Sequence, residues 1–476
     1  MLLSVECRLK AHLLLDQVLE QLDGRLQERH RQDQMESSLF AELLLLGLLM
    51  LQGAVDAVVQ SHLAKAPDQV SGPDGAKLVR VKRPDRRLVT VFGELHVGGP
   101  VYAQRAKQKI EHAPVDQQLA LPANEFSYLV ENWSQRMVVK DSFQESAISL
   151  QELLGLKISV RALEDMNRRV AEHVEVFREH QAPPPADQEA EILVCSADAT
   201  GTPMRDRGGS MQMAYLGAAY TVARFVRTPD EILNEVLRQE CASERPRPKS
   251  KRLFGDMTRP SPDEPGVSWD GRVGVFSWLA SEVQSRNPEG LKPVVCLMDG
   301  EAKLWERKEQ LLGSTVVEIL DLWHVVEKLR IAGAALFGDQ TAASQEFVST
   351  RLRQLLEGAV GRVIGGLKQM MTKRKLRGSI SQTFHAAITY FTNNQQRMKY
   401  DKYLSEGYPI ASGVIEGACR HVVGDRLDRT GMRWTLGGAL AMLATRTTYL
   451  SDDWTEYHSA RIAREQSLLH PKAHSS

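Results

Sequence analysis

Three acidic residues lie at the ends of predicted strands or at the start of a predicted helix, where active-site residues are often found. Val294 to Met298 is a run of five apolar residues, and Asp299 follows it directly. Ile192 to Cys195 is a second apolar run, with Asp198 just beyond it. Unbroken apolar runs rich in β-branched residues are typical of strands buried on both faces, so we predict two inner strands of a parallel or mixed sheet. Glu416 lies in the first turn of a later apolar helix.

Each of these acids also has an ordinary structural interpretation. An Asp-Gly pair such as Asp299-Gly300 is very often only a turn after a strand. The spacing alone does not prove that the three side chains meet. No P-loop, no GxGxxG and no Ser-His-Asp order is present to indicate another chemistry.

If the three carboxylates do meet, their charges predict a metal site. Carboxylates within about 4 Å repel by several kcal/mol at intermediate dielectric, and one would take up a proton. A divalent cation removes this conflict. Mg²⁺ favours oxygen ligands, keeps waters and accepts substrate phosphates. Two such ions about 3.5–4 Å apart activate the attacking oxygen and stabilise the leaving one at phosphorus.

The order of elements favours one fold for this site. Three strands, then helix, strand, helix, strand and helix, with acids after the first and fourth strands and on a late helix, is the order of an RNase H-like sheet. The same patterns divide the chain into seven regions. Before the sheet they are a helical region (1–63), a small basic β unit (78–112) and a helix-turn-helix-like region (124–180). The others are the first part of a catalytic core (190–331), a basic helical insertion (332–407), the rest of the core (408–450) and a tail (451–476). Residues 64–75 and 181–189 read as linkers.

Composition excludes few partners but limits the class of protein. At 476 residues, with 60 basic and 60 acidic side chains, the whole chain is neutral. The five cysteines form no CxxC pair, which argues against a zinc ribbon or a disulfide framework. No apolar run approaches the roughly eighteen residues that a membrane span needs. We therefore expect a cytoplasmic protein that does not associate with a membrane.

Two regions carry features that suit DNA. Helical patterns on either side of Gly155, the second with Ser159 as N-cap, give a helix-turn-helix outline. An ordinary helical hairpin is at least as good an interpretation. Between Arg351 and Lys402, eleven basic residues stand against two acidic ones. Such a one-sided run is a candidate track for the phosphate backbone, although charge runs are usually solvated faces.

Six strings, taken together and in this order, resemble the DDE transposases of bacterial insertion sequences, the ISKra-type group in particular: SADATGTPM, CLMDGEAKLW, EILDLWHVVEKL, NNQQRMKYDKYL, PIASGVIEGACR and RTGMRW. The resemblance spans most of residues 80–450. It implies an RNase H-like (integrase-like) α/β catalytic domain with a large helical insertion, in which Asp198, Asp299 and Glu416 are the catalytic and metal-binding triad. The family's Asp-x-x-His element falls on Asp321 and His324. Cys-pair zinc motifs found near the N-terminus of similar proteins have no counterpart in this chain.

Each of the other candidate site residues also has an ordinary structural interpretation. Asp321 also suits a helix N-cap, and His324 a core histidine. Because His is a poor Mg²⁺ ligand, we expect it to support the site or contact DNA phosphate. Glu301 suits a solvated first-turn acid better than a metal ligand. Six further residues are candidates for DNA contact, each with a surface or core alternative: Arg397, Lys399, Arg420, Arg429, Arg433 and Trp434, the last by stacking on an unpaired base.

The function implied by the resemblance is a transposase that cleaves DNA at transposon ends and joins those ends to target DNA. Its expected cofactor is Mg²⁺ as two ions, with Mn²⁺ as a substitute. Its expected partners are terminal inverted repeats and target DNA, bound by a homo-oligomer. In action it would be associated with the bacterial nucleoid. Two alternatives stay open: a catalytically silent DNA-binding protein derived from such an enzyme, and a metal-dependent nuclease that performs no strand transfer.

Overall fold

The computed structural model describes residues 4–28, 31–72, 75–206, 208, 210–237, 244–261, 264–429 and 431–470. Cys241, Thr430 of the RTGMRW string and the end of the predicted tail lie outside these residues. The chain divides into two compact units, residues 1–173 with 455–476, and residues 174–454.

The elements follow in chain order. Up to residue 173 they are α1 (Val5–Gln27), α2 (Gln32–Leu63), β1 (Gln69–Ser71), β2 (Lys77–Val81), β3 (Arg86–Thr90), β4 (Gly93–Val97), β5 (Val101–Ala103), α3 (Pro114–Gln118), α4 (Tyr128–Val138), α5 (Phe143–Leu154) and α6 (Val160–Ala171). From there to the sheet's last strand they are α7 (Val174–His180), β6 (Ile192–Pro203), β7 (Met211–Val222), α8 (Pro229–Val236), β8 (Lys249–Met257), β9 (Arg259–Pro260), β10 (Ser268–Trp269), α9 (Gly271–Arg286), β11 (Val294–Met298), α10 (Ala302–Leu312) and β12 (Val317–Leu320). The remaining helices are α11 (Leu322–Phe337), α12 (Ala342–Leu356), α13 (Val360–Lys373), α14 (Gly378–Asn393), α15 (Tyr400–Ser405), α16 (Gly413–Ala418), α17 (Leu436–Leu450) and α18 (Trp454–Leu469).

The first unit combines a helical hairpin with short strands. α1 packs on α2, as predicted for residues 1–63. Val55 and Val59 of α2 share a core with Leu88 and Leu95 of the β3–β4 hairpin. One prediction here is wrong, because part of the predicted linker 64–75 pairs with β2 as strand β1. Val91-Phe92 makes the turn between β3 and β4.

Helix α2 corrects the expectation that no segment is long and apolar enough for a membrane. By length and composition α2 meets that criterion, and it is the one helix in the described part of the chain that does. Core helices of soluble proteins and signal sequences meet the same criterion. Much of the apolar surface of α2 is exposed, including Phe40, Leu43 and Leu45.

The predicted helices on either side of Gly155 are confirmed. Ser142 and Glu145 form a reciprocal capping box at the start of α5. Gly155 ends α5 in the left-handed region at φ 68°, where glycine carries no steric penalty. The Ser159 hydroxyl then accepts from the amide of Ala162 and caps α6. DNA binding by this pair remains a prediction.

The second unit is a mixed α/β structure built on a five-stranded sheet in the order β12-β11-β6-β7-β8. β6, β11 and β12 are parallel to one another, and β7 is antiparallel to both β6 and β8. Residues 211–222 form the single strand β7, and β8 begins at Lys249.

Strand β6 is longer than its apolar run. It pairs with β7 from Ile192 to Pro203, so Asp198 lies inside the strand rather than after it. The reason is that β7 supplies a backbone partner along the whole length. Ladder hydrogen bonds therefore continue beyond the point where burial stops.

Helices cover both faces of the sheet. On β7, Gly217 lies against Val275 and Trp278 of α9. The preceding Leu216 points the opposite way and lies with Leu443 of α17 near Gly255. The alternation of side chains along one strand thus places α9 and α17 on opposite faces.

The predicted helical insertion corresponds to α12–α15, and its end returns to the edge of the sheet. The hydroxyl of Tyr400 donates to the carbonyl of Leu320 at 2.8 Å. The hydroxyl of Tyr403 donates to the carbonyl of Glu318, also at 2.8 Å. These bonds attach α15 to β12, just before the chain enters the segment that carries Glu416.

Candidate active site

The register of three parallel strands brings three acids to one level. Cys195 of β6 is opposite Cys296 of β11. Counting three residues onward along both strands places Asp198 opposite Asp299. The amide of Asp321, directly after β12, donates to the carbonyl of Met298 at 2.8 Å. Adjacent strands are about 4.8 Å apart, so the three acids form a row across neighbouring strands.

Asp321 is buried and anchors the segment that carries the fourth acid. Its Oδ2 accepts hydrogen bonds from the Ser412 amide, at 2.7 Å, and from the Ser412 hydroxyl. Ser412 is the N-cap residue of α16, but its side chain makes no capping bond there because the hydroxyl binds Asp321. α16 packs on β6 and β7. Glu416, in the first turn of this helix, is thereby fixed at the same edge of the sheet.

One compact set of possible metal ligands occurs in the described part of the chain: Asp321, His324 and Glu416, with ligand atoms within 4.8 Å of one another. This set is not the one predicted from the sequence. It contains Glu416 but has Asp321 and His324, the two predicted supporting residues, where Asp198 and Asp299 were expected.

The surroundings of His324 favour its protonated form. Its Nδ1 lies 3.7 Å from Oδ1 of Asp321, which is an ion-pair distance. Asp321, and more weakly Asp299 and Asp198, raise the pKa of His324 to about 9 despite partial burial. A protonated imidazole has no lone pair for a metal. His324 therefore offers a positive charge to the site, while the acids supply the ligand atoms.

Asp198 and Glu416 are held in an environment that disfavours their charge. Burial raises the pKa of Asp198, and Asp299 raises it further. Burial also raises the pKa of Glu416, with contributions from Asp321 and Asp198. Asp321 is the exception, because the nearby His324 imidazole and two hydrogen bonds from Ser412 outweigh its burial and lower its pKa. No lysine or arginine in the described residues ion-pairs with Asp198, Asp299 or Glu416.

The loop after β11 is held in place by its own carboxylate. Oδ1 of Asp299 accepts from the amide of Glu301 at 3.0 Å, so the predicted turn is present together with the acid. Glu301 is half-buried at the start of α10, 3.6 Å from Arg272, and burial and Asp299 raise its pKa. This ion pair fits a structural role for Glu301 better than a solvated one.

Sequence reasoning missed two residues at the site. The Cys419 thiol donates to Oδ2 of Asp198 at 3.3 Å. Tyr390 of α14 lies against Gly300, and its buried hydroxyl has no hydrogen-bond partner in the described structure. Cys419 lies one turn after Glu416 and is within reach of a spacing argument. Tyr390 is about ninety residues from Asp299 in the sequence, and no local pattern marks it.

The six predicted DNA-contacting residues separate into two groups. Lys399, Arg420 and Arg433 are exposed, and Arg429 is partly exposed. Arg397 is engaged internally: its Nε donates to Glu318 at 2.7 Å and its guanidinium lies 4.2 Å from the ring of Trp305.

Trp434 also has an internal role. It is 7 % exposed, and its indole N–H donates to the carbonyl of Leu427 at 2.8 Å. The guanidinium of Arg426 lies 5.0 Å from its ring centre. The core alternative therefore describes Trp434, and stacking on an unpaired base would require it to leave this position.

Comparison with known proteins adds no assignment to this geometry. No protein-family model matches the chain, and no curated protein matches it. The site is therefore interpreted from its own residues.

Proposed function

We propose that this protein is a metal-dependent enzyme that cleaves DNA strands and joins them, as a DDE transposase does. The observation that carries the proposal is the row formed by Asp198, Asp299 and Asp321 at the carboxyl edge of parallel strands, with Glu416 facing it. Open α/β sheets commonly place their sites at this edge. Apart from α8 and the two-residue strands β9 and β10, the element order β6-β7-β8-α9-β11-α10-β12-α11 is the one expected of an RNase H-like domain, which supports the proposal further.

The residues present fit Mg²⁺. Asp198, Asp299 and Glu416 offer carboxylate oxygens, the ligands that this ion prefers. Like-charge repulsion and burial raise the pKa of Asp198 and Glu416, and a bound cation would relieve both. When bound by these acids, Mg²⁺ would activate the attacking oxygen and stabilise the leaving oxygen at the scissile phosphate.

The other residues of the site have roles toward the substrate. His324, positively charged beside Asp321, is placed to hold a phosphate oxygen. Asp321 keeps that imidazole protonated and fixes the start of α16 through Ser412. Water would be the first nucleophile, at the transposon end, and the freed 3′-hydroxyl the second, in a transesterification on target DNA.

DNA binding is assigned to exposed cationic surfaces. Eight basic residues of the helical insertion are exposed: Arg362, Lys368, Lys373, Arg374, Lys375, Arg377, Lys399 and Lys402. The α5–α6 pair presents Lys157 and Arg161 to solvent next to the Ser159 cap. We assign recognition of the transposon ends to this pair and backbone contact to the insertion.

Self-association is assigned to the helical hairpin. A helix that is apolar all round is normally buried, yet α2 exposes Phe40, Leu43 and Leu45, and α1 exposes Leu13 and Leu19. A second copy of the hairpin would cover these side chains. Two copies would also hold two transposon ends in one complex.

Two variants of the function remain as alternatives. A DNA-binding protein that has lost catalysis is disfavoured, because acids are present at every position of the site. A nuclease that never joins strands has the same site, and only its products distinguish it from a transposase.

The test is an assay with Mg²⁺ and DNA that carries the inverted repeats flanking the coding sequence. We expect cleavage at the repeat ends and joining to a target plasmid. Asp299→Ala should abolish both activities and leave DNA binding intact. Cleavage without joining would indicate the nuclease, and binding without cleavage the silent protein. Cleavage by Asp299→Ala would refute the site assignment.

The assay has a binding counterpart that needs no substrate. Mg²⁺ should raise the melting temperature of the wild-type protein, because it binds only the folded site. At a Mg²⁺ concentration of a hundred times the dissociation constant, binding raises the free energy of unfolding by about 2.7 kcal/mol. Asp299→Ala should show little of the shift. An equal shift in both proteins would mean that Mg²⁺ binds elsewhere.

A further inference from the structure

A cavity of about 350 Å³ lies where β7 ends, next to the segment that leads into α16. Tyr220 and Val222 of β7 form one wall, and residues 407–411 with 413 and 414 form another. Ser412 is absent from the lining because its side chain binds Asp321. The same short segment therefore contacts the acid site through one residue and lines the cavity through its neighbours.

Three arginines line this cavity: Arg227, Arg245 and Arg247. Arg227 is largely buried, and its Nε has no hydrogen-bond partner in the described residues. Burial and the nearby charge of Arg245 lower the pKa of Arg227 to about 10. Arg245 has one acidic partner, Glu235. Two guanidinium groups that repel each other inside a cavity mark a place where an anion is stabilised.

Flat and apolar groups complete the lining. The guanidinium of Arg227 lies 5.4 Å from the ring of Phe225, and that of Arg224, at the rim, lies 5.5 Å from the ring of Tyr408. Pro246, Ile410 and Val414 supply apolar contact surface. Arginine planes and aromatic rings are the groups on which nucleobases stack.

The rim of the cavity is fixed by backbone contacts. The amide of Phe225 donates to the carbonyl of Gly407 at 3.0 Å. Gly407 has φ 72°, and a Cβ there would lie 2.8 Å from the nitrogen of Phe225, so only glycine allows this approach. Nη1 of Arg224 also donates to the carbonyl of Glu406 at 2.7 Å. These contacts hold the rim of the cavity through the backbone.

We propose that this cavity binds one nucleotide of the DNA, with its phosphate between Arg227 and Arg245 and its base against Phe225 and Tyr408. The inference rests on the proposed function, since it takes the ligand to be part of the DNA held at the acid site. A free anion would use the arginines but leave the aromatic and apolar lining unexplained. A purely apolar ligand would leave the buried guanidinium unpaired. A nucleotide satisfies both parts of the lining.

The experiment measures binding of deoxyadenosine 5′-monophosphate to the full-length protein by calorimetry. Deoxyadenosine and inorganic phosphate are titrated separately as its two halves. We expect saturable binding of one nucleotide per chain, and binding of each half at least about tenfold weaker. Equal affinity for the nucleotide and for phosphate would reduce the cavity to an anion site and overturn the proposal, as would the absence of saturable binding.

Variants assign the binding to this cavity. Phe225→Leu should weaken nucleotide binding about five- to a hundredfold, the range for loss of a stacking partner. Arg227→Gln, which removes a charged phosphate contact, should weaken it about ten- to a hundredfold. Arg353→Gln, on the surface of the same unit, removes an equal charge and should change nothing. If Arg227→Gln lowers the melting temperature strongly, Arg245→Gln replaces it. Unchanged affinity in the cavity variants would contradict the proposal.

The nucleotide site and the proposed catalytic function can be refuted independently of each other. Asp299→Ala should bind the nucleotide like the wild type, because that residue does not line the cavity. If the protein binds the nucleotide but never cleaves DNA, the cavity stands and the catalytic proposal falls. If it cleaves DNA and the cavity variants cleave and bind as the wild type does, the nucleotide site is wrong.

Discussion

The two ends of the same parallel strands differ in how their acids are partnered. Before β6, the buried Glu189 accepts from Nε of Arg286 at 2.6 Å and also binds Lys292, which precedes β11. At the opposite end, Asp198 on β6 and Asp299 after β11 lie near other carboxylates, and neither ion-pairs with a lysine or arginine of the described residues. One edge of the sheet pairs its acid with arginine and lysine, and the other leaves these two aspartates without such a partner.

This contrast separates structural charge from functional charge. Buried ion pairs such as Glu189–Arg286 hold elements together, and breaking one leaves an uncompensated buried charge. Acids that raise one another's pKa weaken the fold, and such groups concentrate at functional sites. The arrangement predicts that mutations at the two edges have opposite consequences.

The largest effect is expected from Glu416→Gln, which removes one charge at the carboxyl edge and keeps the shape of the side chain. Mg²⁺-dependent cleavage should fall by about a thousandfold or more, because the residue completes the set of metal ligands. The melting temperature of this variant should not be lower than that of the wild type. Glu357→Gln, an exposed acid on the insertion, serves as control and should cleave normally. Normal cleavage by Glu416→Gln would remove this residue from the active site.

A mutation at the amino edge of the sheet should lower stability and leave catalysis intact. Arg286→Met leaves Glu189 and Glu282 without their shared partner in a buried setting. Removal of one member of a buried ion pair costs about 3–5 kcal/mol, so the urea midpoint should drop markedly. Cleavage per folded molecule should remain. A variant that is as stable as the wild type but inactive would contradict the assignment of a structural role to the amino edge.

Part of the carboxyl edge was predictable from the sequence. The apolar runs ending near Asp198 and Asp299 predicted both inner strands, whereas the pairing of Cys195 with Cys296 that aligns the two acids is a property of the sheet register. The patterns on either side of Gly155 predicted a helix pair, with Ser159 as N-cap of the second helix. These signals are local, so the chain carries them without knowledge of its partners.

Other features depend on contacts between distant segments. The Ser412 hydroxyl serves Asp321 because a strand ninety-one residues earlier presents a buried carboxylate. The length of β6 depends on β7, and the burial of Trp434 depends on Leu427 and Arg426. A pattern of residue types does not specify which of two suitable partners a side chain meets. The position of Tyr390 beside Gly300 has the same origin.

The pH dependence of stability should distinguish the two edges further. The folded-state pKa of Asp198 is raised, so the folded protein binds more protons than the unfolded chain around that pKa. Its charge therefore destabilises the fold at neutral pH, and the penalty disappears as the pH falls through the raised pKa. Without Mg²⁺, Asp198→Asn should melt higher than the wild type at pH 7, and the difference should shrink on acidification. A difference that grows on acidification would mean that Asp198 is stabilised as an anion.

The smallest effect concerns basic residues, which show the same contrast between partnered and free charge. Lys373, Lys375 and Arg377 are exposed and have no acidic partner in the described structure, whereas Arg353 pairs with Asp230 at 2.6 Å. Replacing any one of the first three by Gln should weaken DNA binding severalfold, equally for all sequences, and reduce the salt dependence by about one phosphate contact. Arg353→Gln should leave the salt slope unchanged, because a paired guanidinium releases no counterion from DNA. Fluorescence anisotropy at several salt concentrations measures both quantities, and equal slopes for all four variants would show that the insertion does not follow the DNA backbone.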